Sequence, residues 1–334
     1  MQAQASRTTG LRYSLTNFSE IVALISFLVL FIFFSIGADN FLTGFALANI
    51  LTFSSITGIV VVGVGMLMIA GEFDLSVGST FAVASYVFAL SMNAGVSPAL
   101  AMVLALIVSC LLGLVNGWIV TRTGIPSFIT TLGTMLAYRG IARALGGGDF
   151  AQFLGDRNQL FGILNGAIEP LNQLFVPAAN FRVSILWFLL LAVILALVLR
   201  RSSFGNWVFA VGGNPGAALS QGVAVKRVKV LCFVLTGFLA GVAGIMQFSH
   251  RLSVDPLRGE GIELAAVAAC VIGGIRLTGG YGTILGACIG VILLQMLEQG
   301  LVLMQVPIQV FLAVAGLILL IAVIVNTFLS KEGS

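Results

Sequence analysis

The sequence predicts an all-α, polytopic membrane protein, and three observations carry that prediction. Of its 334 residues, 59% are hydrophobic and only 8% are charged, against about 45–50% and 25% in an ordinary soluble domain. Apolar runs recur along nearly the whole chain, with a mean hydropathy of +1.12. Because about 20 residues cross a bilayer, these runs leave room for about ten crossings and for no sizeable soluble domain. The 40 glycines, close to twice the usual share, suit membrane helices whose backbones approach closely.

Residues 1–19 form a polar leader with Arg7 and Arg12. The run from Glu20 to Ile36 is longer than a signal-peptide core and lacks a small-residue cleavage site, so it reads as a retained first crossing. Further crossings are expected at about 45–70, 78–93, 98–121, 125–144, 183–199, 229–249, 262–276, 281–298 and 306–327, all in one permease-like domain over 20–327, with a tail at 328–334. An even count puts both termini on one side. The connector at about 200–229 carries Arg200, Arg201, Lys226, Arg227 and Lys229 and no acid. The positive-inside rule therefore makes it cytoplasmic, together with Arg7, Arg12, Arg122, Lys331 and both termini. The connector at about 145–182 then faces outward. Its charges, Asp149, Asp156, Arg157, Glu169 and Arg182, nearly balance, and it reads either as a docking surface or as a solvated lid, with short surface helices.

Within the cytoplasmic connector, Gly213-Asn214-Pro215-Gly216-Ala217-Ala218-Leu219-Ser220-Gln221-Gly222 spells a short helix. Asn214 is a good N-cap, Pro215 suits the first helical position and Gly222 the left-handed stop. Its Ala217 and Ala218 leave room for a close-fitting soluble partner, while Lys226, Arg227 and Lys229 are expected to anchor the next crossing at the headgroups. Either the helix receives a push from that partner or it merely lies at the interface.

Two segments place acids in apolar surroundings. In Gly71-Glu72-Phe73-Asp74-Leu75-Ser76-Val77-Gly78 a lipid-facing carboxylate would cost about 2.5–3.5 kcal/mol, so Glu72 and Asp74 must meet water or polar partners. The glycines suggest a helix break, tolerated in bilayers only where it lines a cavity or is covered. Asp74 reads either as a cap for the helix starting near Ser76 or as a contact for a transported molecule. The second segment, His250 to Leu264, echoes the first with Gly259-Glu260 and Glu263-Leu264, a weak trace of an internal repeat. Glu260 and Glu263 could share a helix face, neutralised by Arg251, Arg258 or Arg276. Gly282/Gly286/Gly290, Gly237/Gly241 and Gly113/Gly117 make four-residue-spaced grooves for helix packing.

Several functions find no support in these residues. No lysine follows a glycine, so there is no phosphate-binding Gly-Lys-Ser/Thr loop and no expectation of ATP hydrolysis by this chain. Cys110, Cys232, Cys270 and Cys288 are far apart and His250 is the only histidine, which indicates neither a metal site, a disulfide framework nor a catalytic triad. The net charge of +4 lies between hydrophobic segments, where it reports orientation in lipid rather than a nucleic-acid surface.

Ala70-Gly71-Glu72-Phe73-Asp74-Leu75-Ser76-Val77-Gly78-Ser79, the Gly213-to-Gly222 helix, Gly261-Ile262-Glu263-Leu264, Val271-Ile272-Gly273-Gly274 and Leu277-Thr278-Gly279-Gly280-Tyr281-Gly282-Thr283 together resemble the permease subunits of bacterial ABC importers of the ribose/monosaccharide type, over roughly 20–325. The resemblance implies a ten-helix inner-membrane subunit with a fold similar to the cobalamin-type (type II) importers. It also implies a second permease copy or relative, a periplasmic sugar-binding protein, and a cytoplasmic ATPase that binds ATP and Mg. This chain itself is expected to hold no cofactor. By that likeness Gly213, Asn214, Pro215, Ala217, Ala218, Leu219, Ser220 and Gly222 couple to the ATPase, although relatives often carry an acid and an arginine where Gly216 and Leu219 stand here. Glu72, Phe73, Asp74, Ser76, Glu260 and Glu263 are the candidates for the sugar's pathway. Two other readings stay open: an ion-coupled secondary transporter using Glu72, Asp74, Glu260 or Glu263, and an ABC permease for autoinducer-2 or a polyol.

Overall fold

A computed structural model describes residues 23–155, 157–175 and 179–307, and a few positions between 310 and 320. The leader, the tail and most of the last expected crossing lie outside these residues. So do Arg7, Arg12 and Lys331.

The described chain is almost wholly helical. In order it forms α1 (Ala23–Gly37), α2 (Gly44–Ile69), α3 (Val77–Asn93), α4 (Pro98–Thr123), α5 (Ser127–Leu145), α6 (Gln159–Asn165), α7 (Glu169–Asn172), α8 (Ser184–Arg201), α9 (Ser203–Gly213), α10 (Pro215–Ser220), α11 (Val225–Arg251), α12 (Ile262–Ile272) and α13 (Ile284–Leu303). Two short strands, β1 (Ala151–Gln152) and β2 (Ser253–Val254), pair antiparallel. They tie the connector after α5 to the turn after α11.

Five of these helices, α2, α4, α8, α11 and α13, are long and apolar enough to cross a membrane. Helices α1, α3 and α12 are apolar but shorter, and α5 is amphipathic, carrying Arg139 and Arg143. The crossing expected at 262–276 is cut short. Helix α12 has 11 residues, about 16 Å of a hydrocarbon core of about 30 Å, because Gly273-Gly274 turns the chain out of the helix. The connector expected to face outward contains two short helices, α6 and α7. The connector expected in the cytoplasm contains one more than expected, since α9 precedes α10, capped by Ser202 Oγ accepting from the Gly205 amide at 3.1 Å.

Helix α11 occupies the centre, packed against α2, α3 and α4. Small residues set how close these helices come. A Cβ at Gly113 of α4 would run into the Phe233 carbonyl of α11, one at Gly237 would lie 2.5 Å from the Ser109 carbonyl, and one at Gly117 would lie 2.9 Å from the Val230 Cα. The two four-residue glycine pairs therefore face each other across one crossing. Gly286 and Gly290 of α13 meet the Gly273 and Ala269 carbonyls of α12 in the same way. Gly282 stands outside this groove, in the turn before α13. Aliphatic side chains of α4 and α8 such as Ile107, Leu111, Leu189 and Val193 point outward, as lipid-facing helices require.

Gly113→Ala should lower the melting temperature of the detergent-solubilised chain, because the added methyl meets backbone and the helices must part. Gly133→Ala, with nothing within 4 Å of its Cβ position, should leave melting unchanged or raise it slightly, by up to about 1 kcal/mol of helix propensity. Circular-dichroism melts of the two variants check the contrast.

Candidate functional site

Helix α10 forms as its sequence dictates. Asn214 Oδ1 accepts from the Ala217 amide at 3.0 Å, Pro215 occupies the first turn, and Gly222, at φ +82°, lets the Val223 amide reach the Ala218 carbonyl at 3.0 Å. The six-residue helix stands out from the bundle. Leu219 is 66% exposed, and Asn214, Pro215, Gly216, Ala217 and Ser220 are exposed beside it. Ala218 departs from the expected pattern: it is buried and packs the helix onto its own chain. The face left for a partner thus carries Ala217 and Leu219 rather than an Ala-Ala pair.

Directly before α10, three chain segments meet on glycine. A Cβ at Gly212 would run into the Ile69 carbonyl and lie 2.6 Å from the Gly280 amide nitrogen; one at Gly279 would lie 2.7 Å from the Gly71 Cα. The Gly280 amide donates to the Ile69 carbonyl at 2.8 Å. The end of α9, the break after α2 and the turn after α12 are thereby held backbone against backbone. Arg276, whose guanidinium lies 4.5 Å from the Tyr281 ring centre, packs within that turn, close enough for a cation–π contact.

The break between α2 and α3 is the glycine-flanked one the sequence indicated, with Gly71 at φ +84°. Its acidic side chains are both engaged. Glu72 forms an ion pair with Lys229 at the start of α11, so Lys229 turns into the protein instead of anchoring at the headgroups. Asp74, fully buried, accepts from the Ser76 amide at 2.8 Å, from Ser76 Oγ at 2.6 Å and from Asn116 Nδ2 of α4 at 3.3 Å. Asn116 also donates to Ser76 Oγ at 2.8 Å and receives the Tyr138 hydroxyl of α5 at 3.2 Å. The half-buried Phe73 presents its amide to Ser127 Oγ at 3.0 Å. Asp74 and Ser76 thus fasten α3, α4 and α5 to one another. Asp74 holds the start of α3 through Ser76 rather than as the cap residue itself.

The second acidic segment folds back against the first. The Gly259 carbonyl and Glu263 Oε2 both occupy the space where a Cβ of Gly78 would sit, and Arg139 of α5 donates to the Pro256 and Arg258 carbonyls, each at 2.9 Å. The cations the sequence offered are otherwise placed. Arg258 pairs with Asp255 at 2.7 Å and Arg276 stacks on Tyr281. Nor do Glu260 and Glu263 share a face. Glu260 precedes α12 and is exposed, whereas Glu263 is buried with Oε1 accepting from the Gly261 amide at 3.1 Å.

Beside this segment lies a cleft of about 610 Å³ between α2, α11, α12 and α13. Of the six pathway candidates it takes in Glu260; Glu72, Phe73, Asp74, Ser76 and Glu263 lie outside its wall. Its polar lining includes Asn165, Gln247, Gln295 and Glu298, and its apolar wall includes Phe53, Ile56 and Ile262. Sequence reasoning missed the four polar residues. The signal was present, since Gln247, Gln295 and Glu298 interrupt apolar runs and polar side chains inside a membrane helix are expensive.

Helices long and apolar enough to cross a membrane, a broken segment among them and a cleft of mixed polarity are features of a transport permease. Residues 46–323 match the family described as branched-chain amino acid transport system / permease component, and the chain belongs to that family of permeases. It is 36% identical over 300 residues to the ribose import permease protein RbsC of Bacillus subtilis, covering 89% of each chain. It is 33% identical over 305 residues to the autoinducer 2 import system permease protein LsrC of Salmonella typhi, covering 91% of this chain and 84% of that one. The corresponding protein of Photorhabdus luminescens is 32% identical over 310 residues, 92% and 89% of the two chains. No solved structure matches the chain.

Asn116→Asp should destabilise the protein by about 2 kcal/mol, since it sets two buried carboxylates against each other and removes the donor to Asp74. Exchanging the pair, Asp74→Asn with Asn116→Asp, should recover most of that loss. Thermal melts of the single and double variants in detergent measure the coupling.

Proposed function

We propose that this chain is the transmembrane subunit of an ATP-binding cassette importer that carries a monosaccharide from the periplasm to the cytoplasm. The observation that carries the reading is the close backbone contact that joins the root of α10, through the glycine junction, to the two non-helical segments of the bundle. An exposed capped helix so connected passes a push from a cytoplasmic ATPase to Ile69–Gly71 and Gly279–Gly280, and so to the elements around the polar cleft. The ATPase supplies ATP and Mg chemistry and a groove in which α10 seats; Leu219 offers an apolar contact, and Gly216 none, at the two places where relatives often have charge. The sugar assignment follows the relative named for ribose import, and the autoinducer 2 relatives supply the alternative cargo. In this reading the chain crosses the bacterial inner membrane ten times with both termini in the cytoplasm, adopts the cobalamin-type importer fold, and pairs with a second permease.

On the outer side, Arg157 donates to the His250 carbonyl at 3.4 Å, and Arg182 and Arg251 lie close by. Burial first, and then Arg157 and Arg251, lower the pKa of Arg182. Such a basic cluster suits an acidic face of a periplasmic binding protein, and it sits on the connector that the sequence marked as a docking surface.

Proteoliposomes enclosing ATP, with the chain reconstituted beside its ATPase and binding protein, should accumulate one labelled monosaccharide from a panel only when all three are present. Uptake driven by an ion gradient without ATP would reject the proposal. Leu219→Glu should cut ATP-driven uptake about tenfold, or about 1.4 kcal/mol of coupling, with no change in melting. Replacing Arg157 and Arg251 by Glu should weaken binding-protein affinity and flatten its salt dependence, as measured by titration at two ionic strengths.

A further inference from the structure

The connector that carries α10 leaves the bundle at Gly212 and returns to it at Lys229, and both feet stand on one short segment. At the exit, Gly212 is so close to the Ile69 carbonyl that a Cβ would run into it. At the return, Lys229 pairs with Glu72, which follows Ile69 and Gly71 in the break after α2. The other cations of the connector, Arg200, Arg201, Lys226 and Arg227, are exposed, and Lys229 turns inward. The paired side chains are only 20% and 9% exposed, so dissolved salt screens them little. Glu72 is also tied to α2, because its amide donates to the Leu67 carbonyl at 3.1 Å. The next residues reach the rest of the bundle. The Phe73 amide donates to Ser127 Oγ of α5 at 3.0 Å, and Asp74 accepts from Ser76 at the start of α3 and from Asn116 of α4.

We propose that the Glu72–Lys229 ion pair is a second attachment through which movement of α10 reaches the break between α2 and α3, and that both residues are positioning residues for the coupling of ATP hydrolysis to transport. The inference rests on the importer reading and goes beyond it, since the glycine junction holds only the exit of the connector. The two feet differ in what they can transmit. At Gly212 backbone surfaces abut, which passes on a push toward Ile69 and gives no hold against a pull away from it. Opposite charges attract, so the pair at the return passes on the pull. A connector held in both ways drives Ile69–Glu72 in the forward and the return stroke of a cycle. Stability alone does not account for the inward lysine, because a buried ion pair holds a fold no better than apolar side chains of the same size. What the pair adds is a directional link, and it joins residues 157 positions apart.

The test uses the complete importer in proteoliposomes and measures the ATP hydrolysed per labelled sugar taken up. Four forms are compared with the unaltered chain: Glu72→Gln, Lys229→Met, the exchange Glu72→Lys with Lys229→Glu, and Gly113→Ala, which loosens the bundle away from the pair. Each single replacement at the pair should raise the ATP spent per sugar about tenfold, and the exchange should return most of the loss. Gly113→Ala should keep the original ratio although it melts earlier, because loss of folded chain lowers hydrolysis and uptake together. Should the neutral variants fail to assemble, Glu72→Asp, which keeps the charge and shortens the reach by one methylene, must raise the ratio by itself. An unchanged ratio in the pair variants, or an equal rise in Gly113→Ala, would overturn the role of the pair and leave the importer reading standing. Uptake by the unaltered chain without ATP would reject the importer reading, and this inference with it.

Discussion

Inside a bilayer an open backbone amide or carbonyl has no water to turn to, and each one left unsatisfied costs several kcal/mol. The rest of this architecture follows from how the chain meets that constraint where its helices stop. Helix α2 ends at Ile69, and its last carbonyl is taken by the Gly280 amide from the turn after α12. The approach is close enough for that bond only because Gly212, Gly279 and Gly280 carry no side chains. Beyond it, Asp74 supplies the acceptor that the Ser76 amide would otherwise lack, Asn116 donates to the Asp74 carboxylate, and the Tyr138 hydroxyl donates to Asn116 Oδ1.

One arrangement therefore serves two ends. The breaks that permit non-helical backbone at depth are the places where separate elements touch. The same glycines that close the hydrogen-bond account place α9, and with it α10, in direct backbone contact with the interior. A helix that is exposed and joined at its root to the bundle is what the proposed coupling requires, and the cleft lies among the helices around that root.

Much of this was legible in the sequence because it is local. The Asn214-Pro215 start and Gly222 stop of α10, the break at Gly71, and the glycine pairs of α4 and α11 each follow from a few adjacent residues and a fixed helical period. The features that escaped depend on residues far apart in the chain. Lys229 reads as a headgroup anchor until Glu72, 157 positions away, is folded beside it. Ala218 reads as part of an open face until α9 and α11 cover it. Nothing in the sequence marked Arg139 as the residue that binds the Pro256 and Arg258 carbonyls, 117 and 119 positions away. Two further features have local signals: Gly273-Gly274 is a stop to α12, and Gln247, Gln295 and Glu298 are polar interruptions of apolar runs.

The central claim is that α10 and the break segments move as one body through the glycine junction. Spin labels at Gln221 at the end of α10 and at Leu277 in the turn after α12, both exposed positions, report on it directly. Pulsed electron–electron resonance on the assembled importer, resting and trapped with nucleotide, should give the same separation in both states. A shift of several ångströms between the two states would mean that α10 moves independently of the junction, and the proposed coupling would be contradicted.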